Sequence, residues 1–199
     1  TLLAAVDRGV THFDTAASYQ IGENERFVGE VLRPFRNRIF LASKCGLARG
    51  PGGTTQVDNR PETLRRSLDE SLARLGFETI DLFYLHRIDR SVPIEDSVGT
   101  LAELVKAGKI RHIGLSECSV ATLRRAAPVH PIAAVQSEYS IWSRDPEQGM
   151  LGACRELGTG FVAYSPLGRG LLAGNFRRLA DLPATDNRQS HPRFQDANA

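Results

Sequence analysis

Cysteine is scarce in this chain of 199 residues, with Cys45, Cys118 and Cys154 the only three. An odd, widely spaced set builds neither a disulfide framework nor a zinc site, so no metal is expected, and it fits a reducing, cytoplasmic compartment. Long apolar runs are missing too. None approaches the ~20 residues that a membrane-spanning helix needs, so no membrane association is expected. Charge of one sign is not in excess: 25 Lys and Arg stand against 23 Asp and Glu, for a net charge of +2. The arginines are spread along helical stretches as on a solvated face, and no nucleic-acid partner is expected. There is no low-complexity tract and no repeat at the ~20–50-residue period of solenoids. No signal peptide is visible in a chain that opens in helix-like sequence without an initiator Met.

What is present is a regular alternation. Residues 2–6 followed by Gly9 read as the end of a helix with a glycine stop. Residues 11–15 read as a strand, 22–32 as a helix with Phe27, Val28, Val31 and Leu32 on one face, and 39–43 as a strand. Residues 49–60 contain Gly50-Pro51-Gly52-Gly53 and read as a loop, long enough to be functional at the mouth of the fold. Pro61 opens the clearest helix, with Leu64, Leu68, Leu72 and Leu75 at helical spacing and Gly76 closing it. Strands follow at 80–85, 110–115, 132–136 and 160–164. Helices lie between them at 97–106, 120–126 and 148–157. Residues 165–170 are a loop.

Short apolar strands alternating with helices give an α/β protein with a parallel sheet and right-handed crossovers. The architecture expected is a (β/α)8 TIM barrel, which needs eight strands and typically ~250 residues. Six strands are read here. The expectation is one barrel domain over residues 1–199, represented by its central six strands, with one further strand before Leu2 and one after Ala199.

Three successive strands end on ionisable residues: Asp14, with Tyr19 five residues on, then Lys44, then His86. Barrel strands carry their chemistry at their C-terminal ends. A tyrosine is protonated at neutral pH and can donate a proton, but it is a weak acid. A lysine ammonium nearby favours the phenolate, and a buried lysine in turn needs a counter-charge, which Asp14 can supply. A histidine can hold a substrate oxygen. Together these residues suit protonation of an oxygen that becomes negative, as when a hydride from a nicotinamide cofactor adds to a carbonyl. Each also has a plainer role: Asp14 as a turn cap, Tyr19 as a packing residue, His86 as a hydrogen-bonded core histidine.

The segments GVTHFDTAASY, GENERFVGEVL, IFLASK, LRRSLDESLARLGFETIDLFYLHRID, LVKAGKIRHIGLSE, AAVQSEYS and FVAYSPLGRGLLAG run nearly the whole chain. In that order the chain resembles the aldo-keto reductases. Within them it is most similar to the long-chain branch of pyridoxal reductases and perakine reductase-like enzymes, through the SPLGRG loop and Pro192-Arg193-Phe194. The resemblance implies an NADPH-dependent (NADP) oxidoreductase acting on a small carbonyl substrate. It implies Tyr19 as general acid, Lys44 assisting its ionisation, Asp14 pairing Lys44, and His86 orienting the carbonyl. It implies Ser116, Glu117 and Gln136 at the nicotinamide carboxamide, although Glu117 stands where Asn is common. It implies Tyr164 stacking on the ring, and Ser165, Leu167, Gly168 and Arg169 covering the pyrophosphate. Gln20 stands where the family often has glycine. Two alternatives stay open: a nucleotide-binding regulatory member of the family, and an inactive barrel fragment. Trp142 is read either as lining the pocket or as packing at an edge.

Overall fold

A computed structural model describes residues 1–49, 54–174, 176, 178–191 and 194. It divides into two compact units, residues 1–137 with 146–162, and residues 138–145 with 163–199. The larger unit carries most of the sheet. In chain order the elements are α1 (Leu2–Asp7), β1 (His12–Asp14), α2 (Glu23–Leu32), β2 (Phe40–Cys45), β3 (Leu47–Arg49), β4 (Thr55–Val57) and α3 (Pro61–Leu75). There follow β5 (Ile80–Leu85), α4 (Ile94–Lys106), β6 (Ile110–Ser116), α5 (Val120–Ala126), β7 (Ile132–Glu138), α6 (Met150–Leu157) and β8 (Gly160–Tyr164). The six-stranded sheet runs β1-β2-β5-β6-β7-β8. Its pairs from β1 to β7 are parallel. Strands in sequential order with helices between them form part of a (β/α)8 barrel, as the alternation predicts.

The period of two along each strand separates two faces. Leu41, Phe83, Leu85, Ile113, Leu115 and Val135 join Leu32, Leu64, Leu68, Leu101 and Leu123 of the covering helices in one large core. The opposite face holds a second, smaller cluster of Ala42, Leu82, Tyr84 and Ala134. Pro61 starts α3, whose N–H-free ring costs nothing at the first helical position. Gly76 ends it in the left-handed conformation, donating its N–H to Leu72 O at 2.8 Å. Gly29 lets α2 approach the last turn of α3: a Cβ there would lie 2.1 Å from the Leu75 carbonyl oxygen.

Strand β2 runs on to Cys45 and β7 to Glu138, two residues past the strands expected. Three further expectations change. Residues 49–60 are not all loop, since β4 pairs antiparallel with β3, Leu47 opposite Val57 and Arg49 opposite Thr55. Thr55, Gln56 and Val57 are exposed, so no apolar alternation announces the strand, and backbone pairing alone makes it. Gly50-Pro51-Gly52-Gly53 lies outside the described residues. Helix α4 begins at Ile94, a turn before residue 97, because Pro93 precedes it in extended conformation and Glu95 and Asp96 occupy its first turn. Helix α6 begins at Met150, since Gly149 has φ 123°.

Candidate active site

The strand register brings the expected residues to one end and one face of the sheet. Asp14 pairs with Ala42, Lys44 with Tyr84, Tyr84 with Gly114, and Ser116 with Gln136. His86 follows β5 directly and donates its N–H to Cys45 O at 2.9 Å. Lys44 stands two residues beyond the partner of Asp14, a diagonal that its long side chain can span.

Lys44 is 1% exposed. Its ammonium pairs with Asp14 Oδ1 and donates to Thr15 O at 2.9 Å and to Tyr19 Oη at 3.4 Å. The other oxygen of Asp14 accepts from Gln136 Nε2 at 2.8 Å. One carboxylate therefore joins the β2 lysine to the β7 glutamine. Tyr19 is placed by backbone shape. Gln20, Ile21 and Gly22 follow it at φ 48°, 58° and 85°, three consecutive left-handed residues that turn the chain back into α2. Two are not glycine, so the turn is strained by about 1–2 kcal/mol per residue. Gln20 thus stands where a glycine is the unstrained choice, which gives the departure at this position a physical meaning.

Tyr19 meets His86 edge to face, with ring centroids 5.8 Å apart. Ser18 Oγ and His86 Nδ1 lie 3.3 Å apart. Burial, then the charges of Lys44 and Arg87, push the His86 imidazole down to about 4. The ring is therefore neutral at neutral pH, with one N–H to donate. Beneath these groups Tyr84 is fully buried. Its phenol is pushed well above the ordinary range by burial and by the negative charge of Asp14. Gly114 is required opposite it, since a Cβ there would lie 2.3 Å from the ring.

Ser116 and Gln136 are buried at the same end of the sheet. Glu117 follows Ser116 at φ 53° and donates its N–H to Gln136 O at 2.9 Å. Left-handed backbone favours Asn among residues with side chains, so Glu117 holds a conformation in which a glutamate is uncommon. Arg87 lies at the same end of the sheet. Its Nη1 donates to His86 O at 2.7 Å and to Ser116 Oγ at 3.4 Å. Its signal in the sequence is a cation directly after a strand-end histidine.

The remaining expected residues belong to the smaller unit. Tyr164 ends β8, and its carbonyl accepts from Tyr139 N at 3.3 Å. The loop after it turns through left-handed residues at Ser165, Gly168, Arg169 and Gly170. Gly168 N–H donates to Ser165 O, and Gly170 N–H to Leu167 O, each at 3.0 Å. Leu167 and Arg169 are exposed. Trp142 packs over Gly168, where a Cβ would lie 2.9 Å from its ring, and stands 6.0 Å from the Phe194 ring. Of its two readings, packing is the contact observed. Arg188 lies over Phe176 and donates to Arg169 O at 2.9 Å.

Other candidates hold less chemistry. All three cysteines are buried, and burial pushes the Cys118 thiol up to about 12; such thiols are inert. Among the described residues no group of His, Cys, Asp and Glu could hold a metal ion, and no helix is long and apolar enough to cross a membrane. A cavity of about 460 Å³ opens beside the Tyr19 turn, lined by Ser18, Ile21, Leu47, Thr55 and Arg66 among others. Asp14, Lys44 and His86 do not line it.

Residues 1–199 match the family model described as the aldo/keto reductase family. The chain is 46% identical over 195 residues to "Probable aldo-keto reductase 1" of Glycine max, covering 98% of this chain and 56% of that protein. It is 45% identical over 203 residues to "Aldo-keto reductase yakc [NADP(+)]" of Schizosaccharomyces pombe, covering 99% and 60%. The chain thus spans little more than half the length of these relatives. Among solved structures, the glycerol dehydrogenase AKR11B4 of Gluconobacter oxydans superposes with a TM-score of 0.91 at 34% identity, covering 100% of this chain and 62% of that one. An aldo/keto reductase of Klebsiella pneumoniae in complex with NADP and acetate gives 0.76 at 29% identity, covering 87% and 59%.

Proposed function

The chain belongs to the aldo/keto reductase family, and from that premise we propose that it carries the active site of an NADPH-dependent reductase of aldehydes or ketones. The observation that carries the reading is the contact of Lys44 with both Asp14 and Tyr19, beside a neutral His86. When bound, the nicotinamide cofactor supplies a hydride to the carbonyl carbon. The protein's part is to manage the oxygen. His86 donates a hydrogen bond to it and sets its direction. Tyr19 Oη gives it a proton as general acid. Lys44, at 3.4 Å, stabilises the negative charge left on the phenol. Asp14 supplies that ammonium with a counter-charge in a buried place.

Ser116 and Gln136 suit the carboxamide of the cofactor, since a hydroxyl and an amide can both donate and accept. Glu117 can accept from its NH2. Tyr164 offers a ring to stack, and the left-handed run at Ser165, Gly168 and Arg169 suits a pyrophosphate, because such backbone turns N–H groups toward an anion. The relative named for NADP(+) and the neighbour solved with NADP support the choice of cofactor. The long-chain branch is favoured by the SPLGRG loop; of the Pro192-Arg193-Phe194 tail, Pro192 and Arg193 lie outside the described residues. Three cysteines without a disulfide favour the cytoplasm.

The test is Tyr19→Phe in the whole protein. NADPH oxidation on a small aldehyde panel that includes pyridoxal is expected to fall by about 10²–10⁴-fold, with NADPH binding by fluorescence quenching unchanged. Turnover near that of the unaltered protein would overturn the assignment.

A further inference from the structure

Beyond Asp14 and Tyr19, Lys44 Nζ has a third partner, the carbonyl oxygen of Thr15 at 2.9 Å. Thr15 is fully buried. Its N–H donates to Ala42 O at 3.0 Å, and its hydroxyl donates to Asn24 Oδ1 at 2.7 Å. On the neighbouring strand, Ser43 points away from Lys44 to the helix-covered face. Its hydroxyl donates to Glu25 Oε1 at 2.6 Å. Glu25 is fully buried, and its other oxygen accepts from Arg74 Nε of α3 at 2.7 Å. Arg74 also donates to Ser71 Oγ at 3.2 Å and pairs with Glu70 at 3.5 Å.

Two consecutive residues in the first turn of α2 therefore grip two strand ends from behind the sheet. Asn24 holds the end of β1 through Thr15, and Glu25 holds the end of β2 through Ser43. The place matters. The β1–β2 register ends at Asp14 opposite Ala42. Past it, the chain from Thr15 to Tyr19 is tied back to β2 by the bonds of Thr15 N–H to Ala42 O and of Ala17 N–H to Lys44 O, the latter at 3.2 Å. The sheet ladder alone does not set where Lys44 Nζ lies relative to Tyr19 Oη. Of the three Lys44 contacts, the one to Tyr19 is the longest at 3.4 Å, so it is the first to be lost when the others shift. An uncompensated Glu25 carboxylate would be costly at full burial, which is why Arg74 accompanies it.

We propose that Asn24 and Glu25 are positioning residues: through Thr15 and Ser43 they hold Lys44 Nζ against Tyr19 Oη, a role that rests on the reductase reading above. Asn24 fixes the direction of the Thr15 carbonyl by holding its side chain. Without that hold the carbonyl turns, the ammonium follows Asp14, and the phenol loses its cation. Proton delivery suffers, while cofactor and carbonyl still bind.

The experiment compares Asn24→Ala, Asn24→Asp, Thr15→Val and Thr15→Ser with Tyr19→Phe in the whole protein. Asn24→Ala is expected to lower kcat by about 10-fold, within the ~10²-fold that a 1 Å misplacement can cost, with KM for the aldehyde and NADPH binding unchanged. Asn24→Asp keeps the acceptor oxygen and should restore kcat. Thr15→Val removes the donor and should match Asn24→Ala, and the double variant should be no slower than either, because both break one bond. Should Asn24→Ala not fold, Thr15→Val against Thr15→Ser decides in the same way, with only the serine keeping kcat. An Asn24→Ala protein with unaltered kcat, while Tyr19→Phe is inactive, overturns the positioning role and leaves the reductase reading standing. Additive losses in the double variant overturn the shared bond. A Tyr19→Phe protein at full turnover removes both.

Discussion

At the ends of β1, β2 and β5, side chains hold one another. Asp14 binds Lys44 and Gln136, Lys44 reaches Tyr19 and Thr15, and Ser18 meets His86. In the loop from Ser165 to Gly170 the backbone does the holding. Four of its residues are left-handed, and its described bonds run between main-chain groups and from Arg188 to the Arg169 carbonyl. The first region presents acids, bases and a cation, and its geometry fails when one charged partner is removed. The second presents a backbone shape closed by its own bonds, and its geometry fails when a side chain is forced where none fits.

The largest test of this contrast is a pair of charge removals. Asp14→Asn strips the counter-charge from a lysine that is 1% exposed, whereas Lys44→Met leaves an Asp14 side chain that is 29% exposed and still accepts from Gln136. Asp14→Asn should cost up to about 3 kcal/mol in urea unfolding, the low end of the range for breaking a buried ion pair, because only the lysine is fully buried. Lys44→Met should cost clearly less. Equal losses would mean that the pair does not depend on burial of the lysine. Next comes Gly114→Ala, which drives a methyl group into the Tyr84 ring. It should cost about 1–3 kcal/mol by overpacking, measured by the same unfolding.

A pH series sharpens the picture at His86. Its folded-state value, about 4, lies below its ordinary 6.5. The unfolded chain therefore takes up a proton below about 6.5 that the folded protein refuses. This part of the stability is whole above about 6.5 and is lost progressively as pH falls toward 4. The thermal midpoint should drop over that window, and His86→Gln should flatten the drop. An equally steep fall in His86→Gln would assign it to other groups. The smallest effect is expected in the second region. Gly168→Ala places a Cβ at φ 56° against Trp142, a strain of about 1 kcal/mol. It should weaken NADPH binding while kcat at saturating cofactor holds, and a loss of kcat with binding intact would break the division between the two regions.

Much of the architecture was legible because burial repeats. Leu64, Leu68, Leu72 and Leu75 mark α3, and the apolar run from Leu82 to Leu85 marks β5, a strand buried on both faces. Strand β4 was not legible. Its exposed residues bury nothing, so no period in the sequence reports its pairing. Asp14, Lys44 and His86 stood out because ionisable residues ending apolar strands are unusual. Arg87, Asn24 and Glu25 did not, since Arg, Asn and Glu beside a helix or loop look like any solvated surface. Only their contacts separate Glu25, buried beneath Ser43 and Arg74, from exposed Glu23 two residues before it.

The alternation of strand and helix is written in the sequence, because hydrophobic period and glycine or proline stops are local properties of the chain. The tertiary structure alone decided which strand ends meet, that one aspartate serves both Lys44 and Gln136, and that the first turn of α2 lies behind β1 and β2. Those relations depend on register and on crossovers between residues as much as 122 positions apart, and no local pattern encodes a distance of that kind.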